Sequence, residues 1–149
     1  MIKRKTYGIK RKKPAKRTTK GKKPPSISKL IKTADALFSL KVRQINPDKP
    51  QERIRCYTCG HQTMKKKIHA GHYLSRYYKA ARWHEDNARP QCFMCNIWKK
   101  GDPIVFRQNL IKEIGEVRVL AVEALRNAPI KLSREFLEAK LESLKRDSL

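Results

Sequence analysis

The sequence predicts a small α+β body, stapled by zinc and flanked by α-helices, behind a disordered basic N-terminal arm. Three observations carry that reading: unevenly placed charge, two C-x2-C pairs, and helical periodicity on both sides of a strand-forming centre. Of 149 residues, 37 are Lys or Arg and 13 are Asp or Glu, a formal net charge of +24. Residues 1–25 hold 12 of the basic residues, no acid, three prolines and two glycines. With so few apolar side chains, this arm cannot bury enough surface to offset the entropy of ordering it. Residues 26–149 carry 25 basic and 13 acidic residues, so the remaining body, one domain in length, is basic too. A chain this positive repels itself and calls for a polyanionic partner, nucleic acid first. The arm would neutralise phosphates with little sequence preference and make binding salt-dependent; the plainer alternative is a solubilising tail. No apolar run approaches the ~20 residues that span a bilayer, so no membrane partner is expected. No apolar segment heads the chain, so a reducing, cytoplasmic setting is expected.

The elements follow in order. Ile27, Leu30, Ile31, Ala34, Leu37, Phe38, Val42 and Ile45 recur at helical spacing and predict an amphipathic helix over 26–46. Ser26 or Ser28 would cap its start and Asn46-Pro47 would stop it, with a connecting turn over Pro47 to Glu52. Residues 53–101 form the core. Arg53 to Arg55 reads as a short strand, Lys67 to Leu74 as a second, His84 to Asn87 as a polar loop, and the residues after Cys95 as a short helix ending near Gly101. Over 103–149 three helices are expected. The first carries Ile104, Val105, Leu110, Ile111 and Ile114, and Gly115 ends or interrupts it. The second carries Val117, Leu120, Ala121, Ala124 and Leu125, and Pro129 closes it off. Ser133 caps the third, with Leu132 and Leu137 as a hydrophobic staple and Phe136, Leu137, Leu141 and Leu144 on its face.

All four cysteines lie in the pairs Cys56/Cys59 and Cys92/Cys95, with 32 residues between the pairs. Each C-x2-C turn aims two thiolates the same way, and two such knuckles complete a tetrahedron around zinc. Four protein ligands leave no open position, so the zinc would be structural. The alternatives are two unrelated buried pairs or a redox dithiol. The long spacer means that something is built between the knuckles.

That spacer holds the run CYTCG…HAGHYLSR…WHEDNARPQCFMCNIWKKG. In it, and over roughly residues 30–126, the chain resembles the NinG or Rap recombination endonucleases of lambdoid phages, zinc-containing HNH (ββα-metal) nucleases. The resemblance implies a treble-clef-like ββα-metal centre and a division of labour. His72 would be the general base that activates water against a phosphodiester. Asn87 would hold the loop and orient that base. Asn96 would be a ligand of a catalytic divalent cation, Mg²⁺ or Mn²⁺, distinct from the zinc. The residue types suit these roles: a neutral imidazole near neutrality accepts a proton from water, and an amide oxygen is a hard ligand. Read alone, His72 is an ordinary hydrogen-bonded histidine, Asn87 a turn cap and Asn96 a helix N-cap. His69 is either a second ligand of the catalytic cation or no ligand, in which case Glu85 or Asp86 would assist. Residues three apart on a regular strand face opposite sides, so Gly71 would have to supply a bend or bulge to bring His69 and His72 together.

Arg76, Lys79, Arg82, Lys99 and Lys100 are the expected DNA contacts, with Trp83 assigned to the core and His61 and His84 to exposed loops. The expected substrate is branched recombination DNA, D-loops or Holliday-type junctions, a step that rests on the resemblance alone. A homodimer through the C-terminal helices would suit a symmetric junction. The rival is a non-catalytic zinc-containing nucleic-acid-binding protein, favoured by Gly71, since many HNH enzymes place an acid directly before the base.

Overall fold

A computed structural model of the chain describes residues 23–44 and 52–146. Most of the expected arm, Ile45, Asn46-Pro47 and most of the connecting turn lie outside the described residues. The first element, α1 (Ile27–Arg43), begins where the Ser26 Oγ accepts the Lys29 N–H at 3.3 Å. It ends before residue 46 because Gln44 turns left-handed, with φ of 50°, and its N–H closes back on the Leu40 and Lys41 carbonyls. Leu30, Ala34 and Phe38 are its buried stripe. They pack mainly on α4 (Arg134–Arg146), through Leu137, Leu141 and Leu144, and on Trp83 and Ala88 from the centre. Ser133 caps α4, accepting the Phe136 N–H at 3.2 Å, and Leu132 and Leu137 share one cluster as the staple requires. The two helices thus pair with each other and close over one side of the centre.

The centre is two small antiparallel sheets: β1 (Arg53–Arg55) with β2 (Gln62–Met64), and β3 (His69–His72) with β4 (Ala88–Gln91). The fold class is therefore α+β. The strand expected over Lys67–Leu74 is shorter, because Lys65–Lys67 forms a 3₁₀ turn and Leu74 has left the sheet. Sequence periodicity passed over β2, which is polar, and β4, which contains Pro90. Pro90 is tolerated because its sheet has only two strands, and its carbonyl accepts the Tyr57 N–H at 2.8 Å. The register between His69 and His72 runs unbroken, His69 opposite Gln91 and His72 opposite Ala88. Gly71 therefore supplies no bulge, and the cleft reaches both His69 and His72 at the two ends of β3 without one.

Beyond the centre, α2 (Pro103–Ile114) and α3 (Glu116–Ala124) are joined by the single residue Gly115 at φ 81°, a conformation a side chain would strain. Phe106, Leu110 and Val119 close their interface over the rings of Tyr57 and Tyr73. The face of α3 differs from the expected one. Val119 and Val122 are buried, whereas Val117 is 82% and Leu120 51% exposed. Helix α3 is apolar at six of its nine positions, so its periodicity marks two faces, and packing on α2 and on Leu74 and Ala81 chooses one. Similarly, Ile104 is exposed and Phe106 takes the core position. No helix among the described residues is long and apolar enough to cross a membrane.

Candidate metal centre and basic cleft

The two cysteine pairs converge. Cys56 and Cys59 occupy the turn after β1, Cys92 follows β4, and Cys95 lies in a five-residue π-helix, Met94–Trp98. All four Sγ atoms lie within 4.8 Å of one another, and Cys59 and Cys92 are 3.8 Å apart. A tetrahedron with Zn–S bonds of ~2.3 Å has edges of about 3.8 Å, so the cluster fits zinc. Burial raises the Cys59 thiol, and burial with neighbouring thiols raises that of Cys95. At Cys56 burial acts the same way, but backbone N–H groups from Cys59, Cys92 and Thr58 outweigh it and bring the thiol down to about 7. The Cys56 thiolate forms readily while Cys59 and Cys95 resist, as expected of a site completed by a cation.

Gln91, fully buried beside the cluster, went unnoticed in the sequence. Its Nε2 donates to the Thr58 Oγ1 at 2.6 Å and the Gly101 carbonyl at 2.7 Å, tying the first knuckle to the turn after the π-helix. Among the described residues its Oε1 has no hydrogen-bond partner, and it lies against Gly71.

Next to this centre opens a cleft of about 670 Å³. His69 and His72 line it from the two ends of β3, and Asn96 lines it from the π-helix. The N-cap of that helix is Phe93, so Asn96 is not its cap. His72 is half-buried against the Phe38 ring, and its Nε2 lies 3.3 Å from the Arg82 carbonyl. Burial first, then the Arg76 charge, lowers the His72 pKa from its ordinary value; the Arg82 and Ala70 carbonyls and Asp35 oppose the shift. Asn87 does not line the cleft. It is wholly buried, accepts the Leu74 N–H at 2.7 Å, and donates to the Leu74 and Ala81 carbonyls at 3.0 and 2.9 Å. It clamps the loop from which Arg82 reaches His72.

Of the five expected DNA contacts, Arg76 and Lys100 line the cleft. Lys79 is exposed elsewhere, and Lys99 sits 3.6 Å from Asp102. The Arg82 fork turns into the fold, onto both carboxylate oxygens of Asp35 at 2.8 and 2.5 Å and the Arg76 carbonyl at 3.0 Å. Three further cations on the cleft, Arg43, Lys66 and Lys67, were not singled out in the sequence. Neither was Asp35, the one acid lining the cleft among the described residues, which also accepts the Trp83 indole N–H at 2.9 Å. Its signal was there, as the lone acid of α1. Glu85 and Asp86, expected as substitute acids, are engaged away from the cleft with Lys41 and with Arg118. Trp83 is in the core, while His61 and His84 are exposed.

Comparison with known proteins accords with these features. Protein ninG of Escherichia phage lambda is 34% identical to this chain over 100 residues, which is 65% of this chain and 45% of that protein. The match thus spans less than half the length of that relative. No solved structure matches the chain. The family described as Bacteriophage Lambda NinG protein matches residues 2–148, through both cysteine pairs and every residue of the cleft, and the chain belongs to that family.

Proposed function

We propose that this chain is a metal-dependent DNA endonuclease of the HNH, ββα-metal type, acting on branched recombination intermediates such as D-loops or Holliday-type junctions. One observation carries the reading: His72 and Asn96, 24 positions apart in sequence, line a single cation-rich cleft beside the cysteine cluster. The branched substrate is inferred from the family resemblance. Asn96 and His69 would hold the divalent cation, Mg²⁺ or Mn²⁺. One amide oxygen and one imidazole leave the other positions to water and phosphate oxygens, as hard cations are held at phosphate sites. The chemistry such a cation supplies is charge stabilisation at the scissile phosphate and leaving oxygen.

The chain's own residues do the rest. A bond to the Arg82 carbonyl puts the proton of neutral His72 on Nε2 and leaves Nδ1 to take one from water. The hydroxide so formed attacks phosphorus, the bond between phosphorus and the leaving oxygen breaks, and that oxygen takes up a proton from solvent. The carbonyls facing the ring then favour the imidazolium. Arg76 and Lys100 offset the phosphate charge.

The test is a nicking assay with Mg²⁺ or Mn²⁺ on branched, duplex and single-stranded DNA. Cleavage of branched DNA is expected, with a rate that climbs through a pKa below 6.5 and is level by neutral pH. His72→Ala should lower the rate by about 10²-fold or more with DNA binding and zinc content unchanged. Binding to junctions without cleavage under any divalent metal would sink the proposal. That outcome belongs to the second reading, a non-catalytic zinc-containing nucleic-acid-binding protein. What favours it is Asp35, the acid of the cleft, already saturated by Arg82 and Trp83.

A further inference from the structure

The π-helix that presents Asn96 to the cleft leaves a different side to solvent. Phe93, Met94, Ile97 and Trp98 are 50%, 56%, 50% and 70% exposed, while Cys95 between them is 1% exposed. In a helix closed by i→i+5 hydrogen bonds, positions i, i+1, i+4 and i+5 share one face. Cys95, anchored in the sulfur cluster, fixes the rotation of that helix, so the four apolar side chains cannot turn inward. Contiguous exposed apolar surface of this kind marks a binding surface. This one continues into the cleft, because Ile97 and Lys100 line it and the Phe93 ring packs edge-on against His69 at 5.8 Å.

Charge decides what covers the face. The adjoining cleft carries Arg43, Lys66, Lys67, Arg76 and Lys100. Residues 1–22 of this chain, with 11 Lys and Arg and no acid, would be repelled, and so would a second copy of so basic a chain. The occupant must be a polyanion that also offers flat apolar groups. A DNA strand with unpaired bases meets both demands, whereas a continuous duplex keeps its bases stacked. We propose that Trp98, with Phe93, Met94 and Ile97, is a stacking surface for unpaired nucleobases whose phosphates run along the basic cleft. This rests on the reading of the cleft as a DNA site, and it assigns preference for unpaired DNA to a surface outside the catalytic constellation.

The experiment measures binding of the full-length, zinc-loaded protein, with no added Mg²⁺ or Mn²⁺, to three labelled DNAs at one salt concentration. These are a continuous duplex, the same duplex with a short single-stranded gap, and a single strand. The unaltered chain should bind the gapped and single-stranded DNAs more tightly, and both should quench the fluorescence of exposed Trp98. Trp98→Ala should weaken binding to those two by about tenfold while leaving the duplex within about twofold. Trp98→Phe should restore most of the loss, and Lys100→Ala should weaken all three alike. If Trp98→Ala lowers affinity for all three DNAs equally, or for none, the stacking surface is wrong. The assay needs no turnover: discrimination without cleavage leaves this surface standing and removes the endonuclease reading, and cleavage without discrimination does the reverse.

Discussion

Gly71 illustrates how a single position carries a constraint that a sequence pattern states wrongly. As a glycine between two cleft histidines it reads as a hinge, yet β3 passes through it in unbroken register. What it provides is space. A Cβ there would stand 2.0 Å from the Gln91 Oε1 and 2.5 Å from its Cδ. Gln91 is buried and tied to Thr58 and Gly101, so it cannot swing aside without losing both hydrogen bonds. Gly71→Ala should therefore destabilise the zinc-loaded protein by about 2–4 kcal/mol, through overpacking and the lost bonds. Gln91→Ala alone should also cost stability, but the double substitution should cost clearly less than the sum, since removing Gln91 removes the clash. Urea unfolding of the four proteins gives the coupling directly. Strict additivity would mean that the two side chains do not compete for this space. The missing acid before His72 acquires a physical reason by the same geometry: any side chain at Gly71 would collide with the residue that joins the first knuckle to the turn beside Lys100.

At the level of elements, legibility followed the strength of the local constraint. Both cysteine pairs, α1 and the capped start of α4 were readable because ligand spacing, apolar period and a Ser cap are local facts. β2 and β4 were not, since neither Gln62-Thr63-Met64 nor a run containing Pro90 has strand character without its partner. Asp35 was missed because a lone acid on a helix reads as a solvated group, and only the fold shows Arg82 and Trp83 closing on it. The π-helix was legible as a short helix ending near Gly101, but not in its start at Met94 or in what holds it. Five residues cannot sustain a helix alone, and this one persists because Cys95 within it and Cys92 before it are fixed by the cluster. Structural zinc supplies on the order of 10 kcal/mol of folding free energy in small modules. Cys95→Ser should accordingly abolish stoichiometric zinc binding. Amide hydrogen exchange should then show protection lost first over β1, β2 and residues 93–98, ahead of the α1–α4 contact. If that variant keeps both its zinc and its exchange pattern, the cluster is not what holds the helix.

Across the whole molecule, the positive charge separates into two populations with different work. Eleven Lys and Arg lie in residues 1–22, and five more, Arg43, Lys66, Lys67, Arg76 and Lys100, converge on one cleft. On the proposed reading both populations release counterions on meeting DNA, so both raise the salt dependence of binding. In that reading the cleft population is the one that holds the phosphate beside His72. Replacing Lys66, Lys67 and Lys100 together by Ala should lower the slope of log affinity against log salt by roughly 2–3, at about 0.9 for each lost phosphate contact. Replacing Lys10, Lys12 and Lys13 by Ala should flatten the slope by a similar amount. The two variants part at saturating DNA, where affinity no longer limits the rate. There the cleft variant should cleave slowly, because the scissile phosphate has lost the charges that position it, while the arm variant should cleave at the unaltered rate. Titrations from low to moderate salt, followed by single-turnover cleavage with protein in excess, measure both quantities on the same preparations. An arm variant that cleaves slowly even when fully bound would show that the arm belongs to the site itself. A cleft variant with full cleavage would move the chemistry away from His72 and Asn96.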